Sequence, residues 1–137
     1  MKIAMYVALF IVFCIILAAA YVRLAPTDVA RWHQSITAEE NVTLKGGAIR
    51  VIEGDASTFE QLDEAMRALP RTEVLAGSIA EGRITYVTRS KLWGFPDYTT
   101  VEYADGVIKL FGRLRFGNSD LGVNAARLGD VLATLDG

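Results

Sequence analysis

The sequence predicts an α+β fold: an N-terminal transmembrane helix, then a small domain with about two helices packed on one face of an antiparallel sheet. Three observations support this prediction. An uncharged apolar run occupies residues 3–22. Segments 57–69 and 121–135 place apolar residues at helical spacing. The segments around them are β-branched or aromatic and are separated by glycine-containing turns, which is typical of strands in an α+β domain.

The composition limits the classes of function. The chain has 137 residues, 52% of them hydrophobic, and a formal net charge of −2. A soluble protein usually has about 45–50% apolar residues, and the N-terminal run explains the excess. A net charge near zero argues against nucleic acid as a partner, because general nucleic-acid affinity depends on neutralising many phosphates. The single cysteine, Cys14, and the single histidine, His33, predict no metal site and no cofactor.

Residues 1–23 are predicted to form a transmembrane anchor. Roughly twenty apolar residues at 1.5 Å rise per residue span the ~30 Å hydrocarbon core of a bilayer. A cleaved signal peptide is the alternative, since Lys2 precedes the run and alanines at 18–20 resemble a cleavage site. The run continues through Tyr21 and Val22 to Arg23, which favours a retained anchor. A signal-like start of this kind usually exports the domain that follows.

Residues 24–40 are predicted to be a juxtamembrane linker, because Pro26 ends any helix that continues from the membrane. His33 in this segment is interpreted as an interfacial or packing residue rather than a catalyst. Residues 41–137 are predicted to form the small α+β domain. It begins with a hairpin over 41–55, in which Gly46 and Gly47 supply a turn or a bulge.

Residues 57–69 predict the clearest helix of the domain. Ser57 and Glu60 match the S-x-x-E capping box at its start, and Pro70 ends it. The acidic residues of this helix, including Asp63, are expected on a solvated face. The apolar stripe expected in the core consists of Phe59, Leu62, Met66 and Leu69.

Four strands and a second helix are predicted in the rest of the chain. The strands lie near residues 73–76, 83–89, 98–103 and 107–116, with Asp105 and Gly106 as a hairpin turn between the last two. The final helix is predicted over residues 121–135. Its buried stripe is expected to consist of Leu121, Ala125, Leu128, Leu132 and Leu135.

Alternation of side chains predicts two different sheet faces. The helices should cover the face that carries Ile84, Tyr86, Val101, Tyr103, Ile108, Leu110, Leu114 and Phe116. The other face is expected to be uncovered and to carry Arg89, Lys109, Arg113, Arg115 and Glu102 among Val87, Tyr98 and Phe111. Such arginines can bind an anion or an acidic partner. They can also brace the sheet by pairing with Asp97, Asp120 and Glu102. A bulge at Gly112 would disrupt this pattern.

Two loops flank these strands. Trp93 and Phe95 in the W-G-F-P-D segment are expected to close the end of the core, or else to stand exposed as docking aromatics, a role also open to Phe111. In the G-N-S-D-L-G segment, Asp120 or a neighbour can cap the last helix. We favour a tight turn with an arginine partner for Asp120. An anion site at the helix start, near Arg115 and Arg127, is the alternative.

The segments RLAPTDVARWH, TRSKLWGFPDYTTVEY and GRLRFGNSDLGVNAARL resemble the bacterial domain of unknown function 1499 family over residues 23–135. The most specific match is R-x-R-F-G-x-x-D-L-G-V-N-x-x-R at 113–127, supported by G-F-P-D at 94–97. The resemblance implies a small membrane-anchored or exported domain and implies no activity. The family's characteristic residues, which form the binding-site hypothesis, are Arg89, Asp97, Arg113, Arg115, Asp120, Asn124 and Arg127.

Three functions are compatible with the sequence. The first is a non-enzymatic interaction domain, for example an accessory subunit of an envelope complex, with a membrane-protein partner. The second is a domain that binds an anionic lipid or a small anion through the arginine-rich face. The third is an enzyme using Asp97 and Asp120. It is least favoured because no catalytic triad or metal-ligand spacing is present. We expect a single-pass protein of the bacterial inner membrane with a periplasmic domain.

Overall fold

The computed structural model describes residues 1–136. The helix α1 (Lys2–Leu24) is followed by the single turn α2 (Val29–Trp32) and by the sheet domain. The strands are β1 (Val42–Leu44), β2 (Gly47–Glu53), β3 (Thr72–Ser78), β4 (Arg83–Arg89), β5 (Pro96–Ala104) and β6 (Val107–Leu114). The domain helices are α3 (Ala56–Ala68) and α4 (Val123–Ala133), and a 3₁₀ turn (Thr134–Asp136) follows α4.

The six strands form one antiparallel sheet in the order β1-β2-β6-β5-β4-β3. Pairing of β6 with β2 and with β5 continues through Gly112 without a register shift, so the predicted alternation of faces holds along β6. A Cβ at Gly112 would lie 2.8 Å from Asn124 Oδ1. This position therefore needs a glycine so that α4 can approach the sheet.

The helices α3 and α4 pack on one face of the sheet, which confirms the predicted α+β fold. The predicted stripe of α3 and the even-numbered residues of β4 and β6 meet in the core. The buried members of the core are Ala48, Phe59, Leu62, Met66, Ile84, Tyr86, Val101, Ile108, Leu110, Leu128 and Val131. Phe116 is an exception to the prediction, because β6 ends at Leu114. Its ring instead lies 6.1 Å from that of Tyr21 in α1.

The start of α3 differs from the predicted capping box. The backbone is still extended at Asp55, with φ −106° and ψ −174°, so the helix begins at Ala56 and Asp55 becomes its cap. Asp55 Oδ1 accepts a hydrogen bond from the Thr58 N–H at 2.9 Å, and the Thr58 hydroxyl accepts one from the Asp55 N–H at 3.4 Å. The prediction of a Ser57–Glu60 capping box is therefore wrong, because Ser57 already lies inside the helix.

The prediction of a solvated acidic face on α3 is wrong at Asp63. This residue is only 8% exposed, and its carboxylate accepts hydrogen bonds from the Tyr86 hydroxyl at 2.6 Å and from Arg67 Nε at 2.9 Å. Burial, together with the hydrogen bond to Asp63, raises the pKa of Tyr86 well above its usual value. The hydrogen bond between Asp63 and Tyr86 holds α3 against the centre of β4.

The predicted stripe of the last helix is correct except at its first position. Leu121 has a positive φ of 53° and is 91% exposed, and α4 begins two residues later at Val123. Leu128 is buried in the core. Three other residues of the predicted stripe, Ala125, Leu132 and Leu135, are partly buried and pack against this core. The left-handed backbone at Leu121 turns its side chain away from the core.

We expect Tyr86→Phe to lower the free energy of unfolding by about 1.5–3 kcal/mol, because it removes a hydrogen bond to a buried charged group. Urea denaturation followed by circular dichroism measures this loss. Tyr103→Phe is the matched control, since the Tyr103 ring stacks on Phe59 with centroids 5.9 Å apart and its hydroxyl has no hydrogen bond within residues 1–136. Equal losses in the two variants would contradict the role assigned to Asp63.

Candidate functional site

The outer face of the sheet, opposite α3 and α4, is covered by residues 25–36, here termed the covering segment. Trp32 is buried, and its ring stacks on Tyr98 of β5 with centroids 4.3 Å apart. Beneath this segment Tyr98, Thr85 and Thr100 have no exposed surface. The prediction of an uncovered face is therefore wrong, because alternation along strands cannot reveal a segment that folds onto them from outside the sheet.

Three arginines predicted as site residues each donate a hydrogen bond to a backbone carbonyl at the end of α1 or in the covering segment. The pairs are Arg89 with Val22 O at 3.4 Å, Arg115 with Pro26 O at 2.8 Å, and Arg113 with Trp32 O. These three arginines are termed the arginine clamp. They fix both α1 and the covering segment to the sheet.

The clamp arginines do not pair with the acidic residues that the sequence predicts as their partners. Among residues 1–136, none of the three forms a salt bridge. Glu102 instead pairs with Arg83 at 2.6 Å and accepts a hydrogen bond from the Ile36 N–H at 3.0 Å. The clamp arginines therefore brace the outer face through carbonyl oxygens, while Glu102 braces it through other partners.

Arg113 is the most enclosed member of the clamp. Its guanidinium carbon lies 4.6 Å from the centre of the Phe111 ring and 5.5 Å from that of Trp32. A further hydrogen bond runs to Thr100 Oγ1 at 2.9 Å. Burial lowers the pKa of Arg113 to about 10, so the side chain is still charged at neutral pH. Carbonyl dipoles and aromatic faces stabilise this charge.

His33 packs against the sheet, as predicted. Its Nδ1 lies 2.8 Å from Thr85 Oγ1, and its Nε2 lies 2.8 Å from Glu81 Oε1. Thr85 is fully buried and also contacts Thr100 Oγ1 at 2.8 Å. The arrangement resembles a carboxylate–histidine–hydroxyl series, but the hydroxyl is out of reach of any substrate.

The other predicted binding residues, Asp97, Asp120, Asn124 and Arg127, lie on the opposite side of the sheet, beside α4. Asn124 is fully buried, and its amide donates to Asp120 at 2.9 Å and to Asp97 at 3.3 Å. Arg127 forms a salt bridge with Asp97 at 3.3 Å. The sheet thus separates the seven predicted residues into two groups that cannot contact the same ligand.

The pKa values of the two carboxylates of this cluster are shifted in opposite directions. Burial raises the pKa of Asp97, and Arg127 only partly offsets this effect. Burial also acts on Asp120, but hydrogen bonds from Asn124 and from the Gly122 N–H outweigh it and lower the pKa of Asp120. The predicted tight turn is present, with Asn124 rather than an arginine as the partner of Asp120.

The two carboxylates lie outside the main cavities. Neither Asp97 nor Asp120 lines any of five cavities of about 250–330 Å³ formed by the described residues. Within residues 1–136, no group of three His, Cys, Asp or Glu side chains is close enough to hold a metal ion. Asp97 and Asp120 are instead held by Asn124 and Arg127, which joins α4 to β5.

A cavity of about 330 Å³ lies where the end of α1 meets the ends of β3 and β4. It is here termed the basic pocket. Its cationic lining residues are Arg23, Arg71, Arg89 and Lys91, and its one acidic lining residue is Glu73. None of these four cations forms a salt bridge within the described chain. The sequence predictions include only Arg89. Knowledge that β3 pairs with β4 would have placed Arg71 beside Arg89.

The loop at residues 90–95 borders this pocket and lies against the end of α1. Arg23 donates to Leu92 O at 3.0 Å, and Arg89 donates to Gly94 O at 2.9 Å. Gly94 has a φ of +71°, and a Cβ there would lie 3.1 Å from Arg23. Glycine is therefore required both by the turn and by the side chain that crosses it.

A second cavity of about 270 Å³, here termed the apolar groove, lies on the other side of this loop, against α1. It is lined by Ile15, Ala18, Ala19, Val22, Trp93 and Phe95. Trp93 is 43% exposed and Phe95 is 42% exposed. The expectation that these aromatics close the core is therefore wrong, because they lie beside α1.

Asp120→Asn should destabilise the protein at neutral pH and have little effect in acid. Because the pKa of Asp120 is lowered on folding, its stabilisation is present above the unfolded-state pKa and is lost as pH falls through the folded-state pKa. We expect a loss of about 1 kcal/mol near pH 7, as for a helix cap. Urea unfolding near pH 7 and near pH 3 measures it, with exposed Asp130→Asn as the control. A loss independent of pH would contradict this assignment.

Comparison with known proteins gives a family but no function. The model of one family, described as protein of unknown function (DUF1499), matches residues 25–135. No curated protein matches the sequence. A crystal structure of a DUF4468 family protein from Bacteroides ovatus ATCC 8483 is similar at a TM-score of 0.35 and 14% identity. The alignment covers 64% of this chain and 63% of that chain, and it carries no conclusion about function. Because the family model spans most of the sequence, this protein belongs to the DUF1499 family.

Proposed function

We propose that this protein is a non-enzymatic, membrane-anchored domain that binds the headgroup of an anionic lipid at the membrane surface. The observation that supports the proposal is the basic pocket, in which four cations and one carboxylate line a cavity of about 330 Å³. Guanidinium groups bind phosphate oxygens in a bidentate manner. Arg71 and Lys91 are exposed and accessible to such a ligand.

The position of the apolar helix in a bilayer determines the level of the basic pocket relative to the membrane surface. When residues 3–22 occupy the ~30 Å hydrocarbon core, Arg23 lies at the level of the lipid headgroups. Arg71, Arg89 and Lys91 line the same cavity as Arg23 and therefore lie near that level. Each basic residue close to an anionic membrane surface contributes about 1 kcal/mol of attraction.

The proposal requires α1 to be a retained anchor rather than a cleaved signal sequence. An apolar helix at the N-terminus is compatible with either role. Contacts that cleavage after Ala20 would remove support retention, since Ile15, Ala18 and Ala19 line one cavity together with Trp93 and Phe95. The intact mass of protein purified from membranes tests this point, and loss of the first residues through Ala20 would contradict it.

We further propose that the domain lies on the periplasmic side of a bacterial inner membrane. Lys2 precedes α1, and Arg23 and Arg31 follow it, so the flanking charges are nearly balanced and the signal-like start favours export. A Cys14→Ser, Ser119→Cys variant offers one exposed thiol for labelling. A membrane-impermeant maleimide should label it in intact spheroplasts, whereas labelling only after lysis would place the domain inside.

A membrane-protein partner is a second candidate, favoured by a cavity of about 250 Å³ on the outer face. It is lined by Arg31, Trp32, Phe111 and Arg113 among other residues. Arginine and aromatic side chains are enriched in the central contacts of protein interfaces. A photocrosslinking residue at position 31 tests this candidate in native membranes, and its failure to capture a defined membrane protein would argue against it.

Lys91→Gln should weaken the binding of dioctanoyl phosphatidylglycerol to the full chain in detergent about fivefold, because one surface cation contributes about 1 kcal/mol. Calorimetric titration measures the affinity. In the parent protein, dioctanoyl phosphatidylcholine should bind more weakly, because its headgroup has no net charge.

Lys45→Gln is the matched control for this experiment. Lys45 lies in the β1–β2 turn, at the same end of the sheet as Lys91 but outside the basic pocket. The substitution removes the same charge and should leave the affinity almost unchanged. Equal weakening in both variants would indicate general charge attraction and would contradict a defined headgroup site.

A further inference from the structure

We propose that the apolar groove holds an acyl chain of the lipid whose headgroup occupies the basic pocket. The ligand is then an anionic phospholipid in its bilayer position rather than a free anion. This inference rests on the proposed function and deepens it, because it assigns a second point of recognition. It is supported by the adjacency of the two cavities, by the depth of the groove and by the rigidity of the loop between them.

The two cavities adjoin along two short stretches of chain. Arg23 and Gly94 line the basic pocket, while their sequence neighbours Val22, Trp93 and Phe95 line the apolar groove. One molecule with a charged end and an apolar tail therefore fits the pair, with its phosphate on the Arg23 side and its chain on the Val22 side.

The position of the groove determines what fills it. Its helix residues run from Ile15 to Val22, which is about 10 Å along α1 at 1.5 Å per residue. This stretch lies in the half of the hydrocarbon core nearest the domain, where the acyl chains of the bilayer surround the helix. The small side chains of Ala18 and Ala19 leave the space, and every lining residue is apolar. The occupant supplied by this environment is a lipid chain.

The loop that separates the cavities is held in place before any ligand binds. The Ser90 N–H donates to Phe95 O at 3.0 Å, the Gly94 N–H donates to Ser90 O at 3.1 Å, and Ser90 Oγ accepts from the Phe95 N–H at 2.9 Å. Arg23 and Arg89 bind two further carbonyls of the loop. A preformed groove lowers the entropy lost when a chain is ordered in it.

Quenching of tryptophan fluorescence by brominated lipids tests the inference. The full chain is placed in phosphatidylcholine nanodiscs that contain a minor fraction of lipid with dibrominated chains, either phosphatidylglycerol or phosphatidylcholine. Subtraction of a Trp93→Phe variant removes the signal of Trp32. We expect the brominated phosphatidylglycerol to quench Trp93 several-fold more strongly than the brominated phosphatidylcholine.

Two variants assign this preference to the two cavities. Lys91→Gln should abolish the preference, because it weakens capture of the headgroup. Ala19→Phe should also abolish it by filling the groove, while binding of glycerophosphoglycerol, the headgroup without chains, stays unchanged in calorimetry. Ala8→Phe is the matched control, since Ala8 lies on α1 outside the groove and is exposed. It should keep the preference.

Negative results of these experiments distinguish failure of the acyl-chain site from failure of the proposed headgroup site. Equal quenching by the two brominated lipids, together with Lys91-dependent binding of glycerophosphoglycerol, would overturn the acyl-chain site and leave the headgroup site in place. Absence of Lys91-dependent binding of both glycerophosphoglycerol and phosphatidylglycerol would overturn the proposed function. High-yield disulfide dimers of a Cys14→Ser, Ala18→Cys variant would show a second copy in the groove and would also overturn the acyl-chain site.

Discussion

Hydrogen bonds from three guanidinium groups to backbone carbonyls join α1 and the covering segment to the sheet, and the candidate sites depend on them. Arg89, Arg113 and Arg115 bind the carbonyls of Val22, Trp32 and Pro26. A hydrogen bond that involves a charged group contributes about 1.5–3 kcal/mol. Because the end of α1 is held in this way, the loop at 90–95 lies against the helix, and the basic pocket and the apolar groove form on its two sides.

The sequence predicts the fold class and most of the strands because side-chain alternation and helical spacing are local signals. It does not predict the covering segment, since no periodicity shows that Trp32 will stack on Tyr98. Two further predictions, the cap of α3 and the exposure of Asp63, are wrong because the local pattern does not show the actual partners. Asp55 replaces Ser57 as the cap because the helix begins two residues earlier than the S-x-x-E pattern implies. Asp63 is buried because Tyr86, on a strand distant in sequence, supplies its partner.

The family motif selects residues that hold the fold more clearly than residues that face a ligand. Arg113 is enclosed by Trp32 and Phe111, and Asn124 is fully buried between Asp97 and Asp120. Of the family's characteristic residues, only Arg89 lines the basic pocket. The other pocket cations lie at the ends of separate elements: Arg23 and Lys91 fall within the segments that resemble the family, and Arg71 falls outside them. Only the pairing of strands and the docking of α1 bring them together.

We infer that the arginine clamp fixes the loop at 90–95 at the membrane surface beside α1. The depth of that loop in a bilayer tests this claim most directly. Electron paramagnetic resonance can measure it with a nitroxide placed at Leu92 or, at the opposite end of the sheet, at Asp105, in a Cys14→Ser background. We expect the label at position 92 to be accessible to oxygen and shielded from a water-soluble nickel complex, with the reverse at position 105. Aqueous exposure at both positions would contradict it.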